Sequence, residues 1–261
     1  MSAGTASLGN PGAIGALPAQ LGNELLKLRT VRMPWILLGA SQLVILAGVS
    51  GLMVGDPDLA DPATVVEAVG HVGLVSLFAL VLGVLAVAGE HRHGTAADTY
   101  LSTPRRARVV LAKLGVTVLA GAGLGVLAAV TALAATATWY AALGETPDLW
   151  SGEVLRTIGG AVAWCAGFAA IGVGIGALIR NLAGAITTVL VWIALVEGVV
   201  GELVGDLARW LPFRSGTALG NLPAAGGVEG LTQQQGGLAL IAYTVLFAVL
   251  GISATVWRDV S

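Results

Sequence analysis

Charge is scarce in this chain. Thirteen Lys or Arg and fifteen Asp or Glu stand among 261 residues, 11% of the total, against about 25% in an ordinary soluble domain. With 56% apolar residues there is too little polar surface to cover a soluble globule, so composition excludes one and indicates an integral membrane protein. Cysteine is nearly missing: Cys165 stands alone, which excludes an internal disulfide. Lysine is almost as rare. A phosphate-binding loop sets a Lys after Gly and before Ser or Thr, whereas Lys27 follows Leu26 and Lys113 follows Ala112; the chain does not bind ATP by that means. Three histidines are too few to assemble a Ser-His-Asp or Cys-His set, and Glu90-His91-x-His93 lacks the order that places two imidazoles one helical turn apart beside a general base. No catalytic residue and no metal site is expected, and the chain is read as a non-enzyme. The first 30 residues also lack the apolar core of a signal peptide, and the first apolar run directly follows Lys27, Arg29 and Arg32. That run is read as an uncleaved span.

What is present is apolar sequence in six long runs: Met33–Val54, Val65–Gly89, Val109–Tyr140, Leu155–Ile179, Leu182–Leu203 and Gln235–Val256. Each is long enough to cross a hydrocarbon layer of about 30 Å at about 1.5 Å per residue. Backbone amides in lipid must be satisfied within the segment, so the runs are expected to be helices. None shows the period-2 alternation of a barrel strand. The third run exceeds what a crossing needs and is expected to tilt or to extend beyond the membrane.

Basic residues orient the runs. The segments sharing a side with the N-terminus carry Lys27, Arg29, Arg32, Arg92, Arg105, Arg106, Arg108, Lys113, Arg180 and Arg258, and the other side only Arg156, Arg209 and Arg214. The positive-inside rule places both termini in the cytoplasm. Ahead of the first span, Leu17, Leu21, Leu25 and Leu28 recur at helical spacing opposite Gln20, Asn23, Glu24 and Lys27. Such a segment suits an amphipathic helix lying in the interface plane, and residues 14–32 are assigned to it; residues 1–13, dominated by Gly, Ala, Ser and Pro, are assigned to a disordered tail, and 33–261 to one six-span domain. The other reading extends the tail through the whole segment.

Between the second and third runs lies GEHRHGTAADTYLSTPRRARVVLAK, far more structured in its punctuation than a connector requires. Gly94-Thr95 can end one helix and cap the next, and Thr103-Pro104 can close it, because Pro104 holds Thr103 extended. A helix over Thr95–Ser102 would present Asp98, Tyr100 and Leu101 to a soluble surface, with Arg105, Arg106 and Arg108 near headgroups or acidic partner residues. A solvated loop with ordinary positive-inside charge explains the arginines but not the helix punctuation.

This loop, together with ELLKLRTVRMPWILL at the first span, resembles the six-span permease subunits of type-2 ATP-binding-cassette exporters from actinobacteria. The resemblance implies an N-terminal interfacial helix, six transmembrane helices, a cytoplasmic coupling helix between spans 2 and 3, and re-entrant or interfacial helices between spans 5 and 6. It further implies a bacterial inner-membrane location and a second permease chain, identical or related. Two copies of a separate ATPase subunit are implied as well; these would hold ATP and Mg, and this chain would hold no cofactor. Coupling contacts would fall to Thr95, Asp98, Tyr100, Leu101, Arg105 and Arg106. The segment DLARWLPFRSGTALGNLP is too long and amphipathic for a tight turn: Trp210, Leu211 and Phe213 suit an interfacial or re-entrant helix pair broken at Pro212. In the family such an element lines the extracellular exit. A non-transporting membrane anchor that recruits a soluble partner through the same loop is the alternative function. A proton-coupled carrier has less support, with no evident inverted repeat and few buried acids.

Within the spans, polar residues stand out. Glu197 lies at membrane depth, where a carboxylate costs about 2.5–3.5 kcal/mol unless paired, protonated or hydrated, so it should face the interior, serving either the transport pathway or a structural hydrogen bond. Gln42 in the first span is a milder case. Glu67 and His71 are four apart and share a helix face, as a proton-sensitive pair or a simple cap. Gly172-x-x-x-Gly176, with Gly174 beside it, and Gly121-x-x-x-Gly125 mark faces where helices should approach closely.

Overall fold

The computed structural model describes residues 12–55, 57–92, 106–222 and 230–257, all in helices and short connections, with no strand among them. Helix α1 covers Gly12–Thr30 and α2 Arg32–Val54; α3 (Pro62–Gly70) continues through a 3₁₀ turn, His71–Leu74, into α4 (Val75–Arg92). Then come α5 (Arg106–Leu143), α6 (Gly152–Leu178), and α7 (Leu182–Val191), which widens into a π-helical stretch, Trp192–Val200. A single turn at Gly201–Leu203 and a 3₁₀ helix at Gly205–Trp210 lead to α8 (Pro212–Leu219), and α9 (Gln233–Trp257) closes the described chain.

Among the described residues, six helical stretches are long and apolar enough to cross a membrane: Arg32–Val54, Pro62–Glu90, Val109–Leu143, Gly152–Leu178, Leu182–Val199 and Gln233–Trp257. They match the six runs read from sequence to within a few residues and make this a multi-pass membrane protein. Helix α5, at 38 residues, is about 57 Å long at 1.5 Å per residue, nearly twice the hydrocarbon thickness.

Local chemistry sets the boundaries. Asp61 accepts from the Ala63 amide with Pro62 opening α3, Ser151 accepts from Val154 at the start of α6, and Asn181 accepts from Gly184 at the start of α7. Each side chain satisfies an amide that the helix cannot. Gly144, with φ of +81°, ends α5 in the left-handed conformation that glycine adopts without strain.

Helices α4 and α6 form the centre. Their spans are 61% and 67% buried, against 17–22% for the first, fifth and sixth. Backbone contact brings them together: a side chain on Gly172 would run into the Leu80 carbonyl, one on Gly83 into the Ala169 carbonyl, and one on Gly176 would lie 2.9 Å from the Val84 carbonyl. Gly174 meets Phe247 of α9 in the same manner, while Gly121 and Gly125 of α5 meet Cys165 and Val162 of α6. The five glycines singled out within the spans therefore sit at helix crossings. In lipid, where apolar burial gives helices no preference for one another over acyl chains, such contact is a principal source of association.

Candidate functional site

The strongest polar constellation joins three helices at the face from which the chain enters its first span, here the N-terminal face. Lys27 of α1 donates to Glu24 Oε1 at 2.8 Å and to Glu90 Oε1 at 2.6 Å. Lys113 of α5 donates to Glu24 Oε2 at 2.9 Å, Glu90 Oε1 at 2.6 Å and the Ala86 carbonyl at 3.2 Å. Two ammonium groups and two carboxylates thus close a ring with no net charge. Its members are unequal, since the Lys113 side chain is 2% exposed and that of Lys27 44%. Burial works against the Lys27 ammonium, but hydrogen bonds to Glu24 and Glu90 and the charges of both outweigh it, so its pKa stands above the ordinary 10.5.

Helix α1 is tied to the bundle through the ring. Its inward side is polar: Glu24 is buried and Lys27 half-buried, while Leu21 and Leu25 are exposed and Leu28 packs on the core. The leucine side is therefore free to meet lipid, and the polar side is consumed by the ion ring. The Leu17 side chain lies outside the described residues.

Beside the ring opens an apolar groove of about 470 Å³, with Leu28, Met33, Leu85, Val116 and Leu182 among its walls and Lys27 at its polar edge. The segment expected to couple lies between the two halves of the ring, after Glu90 and before Lys113. Thr95, Asp98, Tyr100, Leu101 and Arg105 fall outside the described residues, as does the Arg106 side chain, although Arg106 opens α5.

Glu197 is 4% exposed and faces inward. Its carboxylate accepts from the Phe213 amide at 2.8 Å, the Arg214 amide at 3.0 Å and the Trp192 indole at 3.2 Å, and the Arg214 guanidinium donates to the Glu197 carbonyl at 3.4 Å. Phe213 and Arg214 occupy the first turn of α8, where amides have no partner within the helix, and Leu211 at its start supplies no side-chain cap. Glu197 caps α8 from another element, and the helix dipole favours the carboxylate there. The polar bond thus runs to the short helix between spans 5 and 6 rather than to a neighbouring span.

Helix α8 is wedged between α6 and α9. Gly216 lies against the Trp164 indole, Gly160 against the Leu219 carbonyl and Gly236 against the Ser215 carbonyl. Gln233 holds the far end of α8 by donating to Leu219 O at 2.8 Å and to Arg156 O of α6 at 3.0 Å. Next to this wedge, between span 5 and the centre, lies a cavity of about 410 Å³ walled by Phe168, Ile175, Trp192, Tyr243 and Phe247, with Glu197 at one end.

No family model and no curated protein matches the sequence. Two other sequence candidates take structural places. Gln42 accepts from Thr131 Oγ1 at 2.6 Å, tying α2 to α5, and lines neither cavity. His71 turns its ring to the carbonyls of Glu67 and Ala68 while the Glu67 side chain is exposed, an intrahelical arrangement in place of a carboxylate–imidazole pair. The ion ring was not legible as a unit, because its members are up to 89 residues apart and each alone reads as ordinary interfacial charge.

Proposed function

We propose that this chain is the membrane-spanning permease subunit of an ATP-driven exporter, paired with a second permease chain and driven by two separate ATPase subunits that hold ATP and Mg. The ion ring is the observation that carries the reading. Glu90 of α4 and Lys113 of α5 stand at the two feet of the segment expected to receive the ATPase; they are bonded to each other, and Lys113 is bonded in turn to Glu24 of α1. Force on that segment would act together on spans 2 and 3 and on α1, because three helices share two carboxylates. A connector serving only to join spans has no use for such a brace. The cavity beside span 5 supplies a candidate pathway wall, apolar except near Glu197, and α8 would be the re-entrant element at its mouth. Hydrophobic or amphiphilic cargo fits such walls.

The test is co-expression with a cassette ATPase from the same genome. Replacing Asp98 and Tyr100 by Ala should leave the permease folded while weakening ATPase co-purification and abolishing ATP-dependent efflux of a hydrophobic fluorescent dye. Unchanged co-purification and efflux would overturn the docking assignment. Binding of the ATPase without any ATP-dependent efflux by the unmodified chain would instead favour the anchor function.

A further inference from the structure

We infer that the groove at the N-terminal face binds one anionic phospholipid, with the phosphate on Lys27, Arg29 and Arg32 and an acyl chain along the apolar walls. Donor counting supplies the first step. An ammonium has three N–H donors. Lys113 uses all three, on Glu24, Glu90 and Ala86, whereas Lys27 uses two, on Glu24 and Glu90. Among the described residues one donor of the ring is left over, on the member that is 44% exposed and stands at the groove's edge.

Charge gives the second step. The two carboxylates at the groove, Glu24 and Glu90, are both consumed by lysines, so the ring is neutral and the nearby excess is positive. Leu28, Val31, Met33 and Pro34 line the groove, and Arg29 and Arg32 stand among them in the chain, both exposed. A ligand suited to this place carries negative charge at one end and hydrocarbon at the other. Basic clusters at the ends of membrane helices attract anionic headgroups by about 1 kcal/mol per residue, and the groove, at about 470 Å³, lies within the size range of ligand sites. A soluble anion would leave its apolar walls unused. This inference rests on the ring and groove alone and stands whether or not the chain is an exporter subunit.

The experiment is native mass spectrometry of the purified full chain in detergent, incubated with phosphatidylglycerol or with phosphatidylcholine. One phosphatidylglycerol should be retained, in preference to phosphatidylcholine by about tenfold or more. Arg29→Gln with Arg32→Gln spares the ring and should remove most of that preference. Gly89→Leu probes the walls: Gly89 lines the groove, and a Cβ there meets nothing within 4 Å, so a side chain can start from this position into the space an acyl chain would use. It should abolish retention while thermal stability is kept. Equal retention of the two lipids by the unmodified chain would overturn the inference, and so would an undiminished adduct in folded Gly89→Leu.

Discussion

Replacing Lys113 by Met keeps most of the aliphatic stem and removes the ammonium. Three hydrogen bonds are lost together, to Glu24 Oε2, Glu90 Oε1 and Ala86 O. The ring passes from neutral to one net negative charge at a site where Lys113 was 2% exposed. Removing one partner of a buried pair costs about 3–5 kcal/mol, mostly because the other charge is left uncompensated. Lys27 still bridges Glu24 Oε1 and Glu90 Oε1 at 2.8 and 2.6 Å, so the lower end applies, about 3 kcal/mol. Lys27→Met leaves the better-buried cation in place and removes one that is 44% exposed, for which about 1 kcal/mol or less is expected. In thermal unfolding of the detergent-solubilised chain, followed by tryptophan fluorescence, Lys113→Met should lower Tm by on the order of 10 °C, several times the effect of Lys27→Met. Adding Glu24→Gln to Lys113→Met restores neutrality and should recover part of the loss. Equal shifts for the two lysine variants, or no recovery in the double variant, would refute the ring as a buried cooperative unit.

The ring also predicts a pH dependence. Because the folded pKa of Lys27 is raised above 10.5, its contribution is fully present below that pH and is lost as pH rises through the higher folded value; in the alkaline range stability against unfolding should fall less steeply with pH in Lys27→Met than in the unmodified chain. Gly172→Ala should abolish recovery of folded protein, since its Cβ runs into the Leu80 carbonyl, whereas Gly123→Ala, with open space at that position, should be neutral or gain up to about 1 kcal/mol in helix propensity, as read by size-exclusion yield and Tm. Glu197→Gln replaces an oxygen that accepts from the Phe213 or Arg214 amide by an NH₂ donor, at a cost of about 1–3 kcal/mol; proteolysis within 205–222 should become faster, and unchanged protection would remove the capping role. Gln42→Leu strands the Thr131 hydroxyl's cross-helix bond and should cost about 0.6 kcal/mol, a change in Tm small enough to separate a tether from a pathway residue, whose loss would stop efflux.

Apolar run length carried the spans, because crossing hydrocarbon constrains length, composition and backbone satisfaction at once. Glycine spacing carried the crossings, since Gly172, Gly174 and Gly176 alternate between the α4 and α9 sides of one helix and their register follows from helical geometry alone. Polar partners were another matter. The inward placement of Glu197 followed from insertion cost, but its partners are main-chain amides of Phe213 and Arg214, which no side-chain pattern advertises. For α1, helical spacing put Leu21, Leu25 and Leu28 on one strip with Glu24 at its edge, and in the structure Glu24 and Leu28, four apart, turn inward together while Leu21 and Leu25 are exposed; spacing could not say which side meets protein. In a soluble domain the leucine side would turn inward; beside lipid the preference reverses once the polar side has a partner, and that partner, Lys113, lies 89 residues away.

This reversal explains why charge appears where it does. The central helices hold together by backbone contact at Gly83, Gly172 and Gly176, a device that needs two long surfaces in register. Helix α1 brings no such contact at Gly22, where a Cβ would meet nothing within 4 Å, and α8, with only eight residues, has glycine contacts over a short length alone. Apolar burial does not compensate, because an acyl chain solvates leucine as well as another leucine does. What distinguishes protein from lipid for such an element is a polar group that lipid cannot satisfy. Glu24 and Lys27 supply it for α1, and the amides of the first turn of α8, which have no partner within their own helix, supply it toward Glu197. Each tether is therefore strongest where water and headgroups are excluded, and the half-exposed ammonium of Lys27 is the point at which an added anion can change how firmly α1 is held.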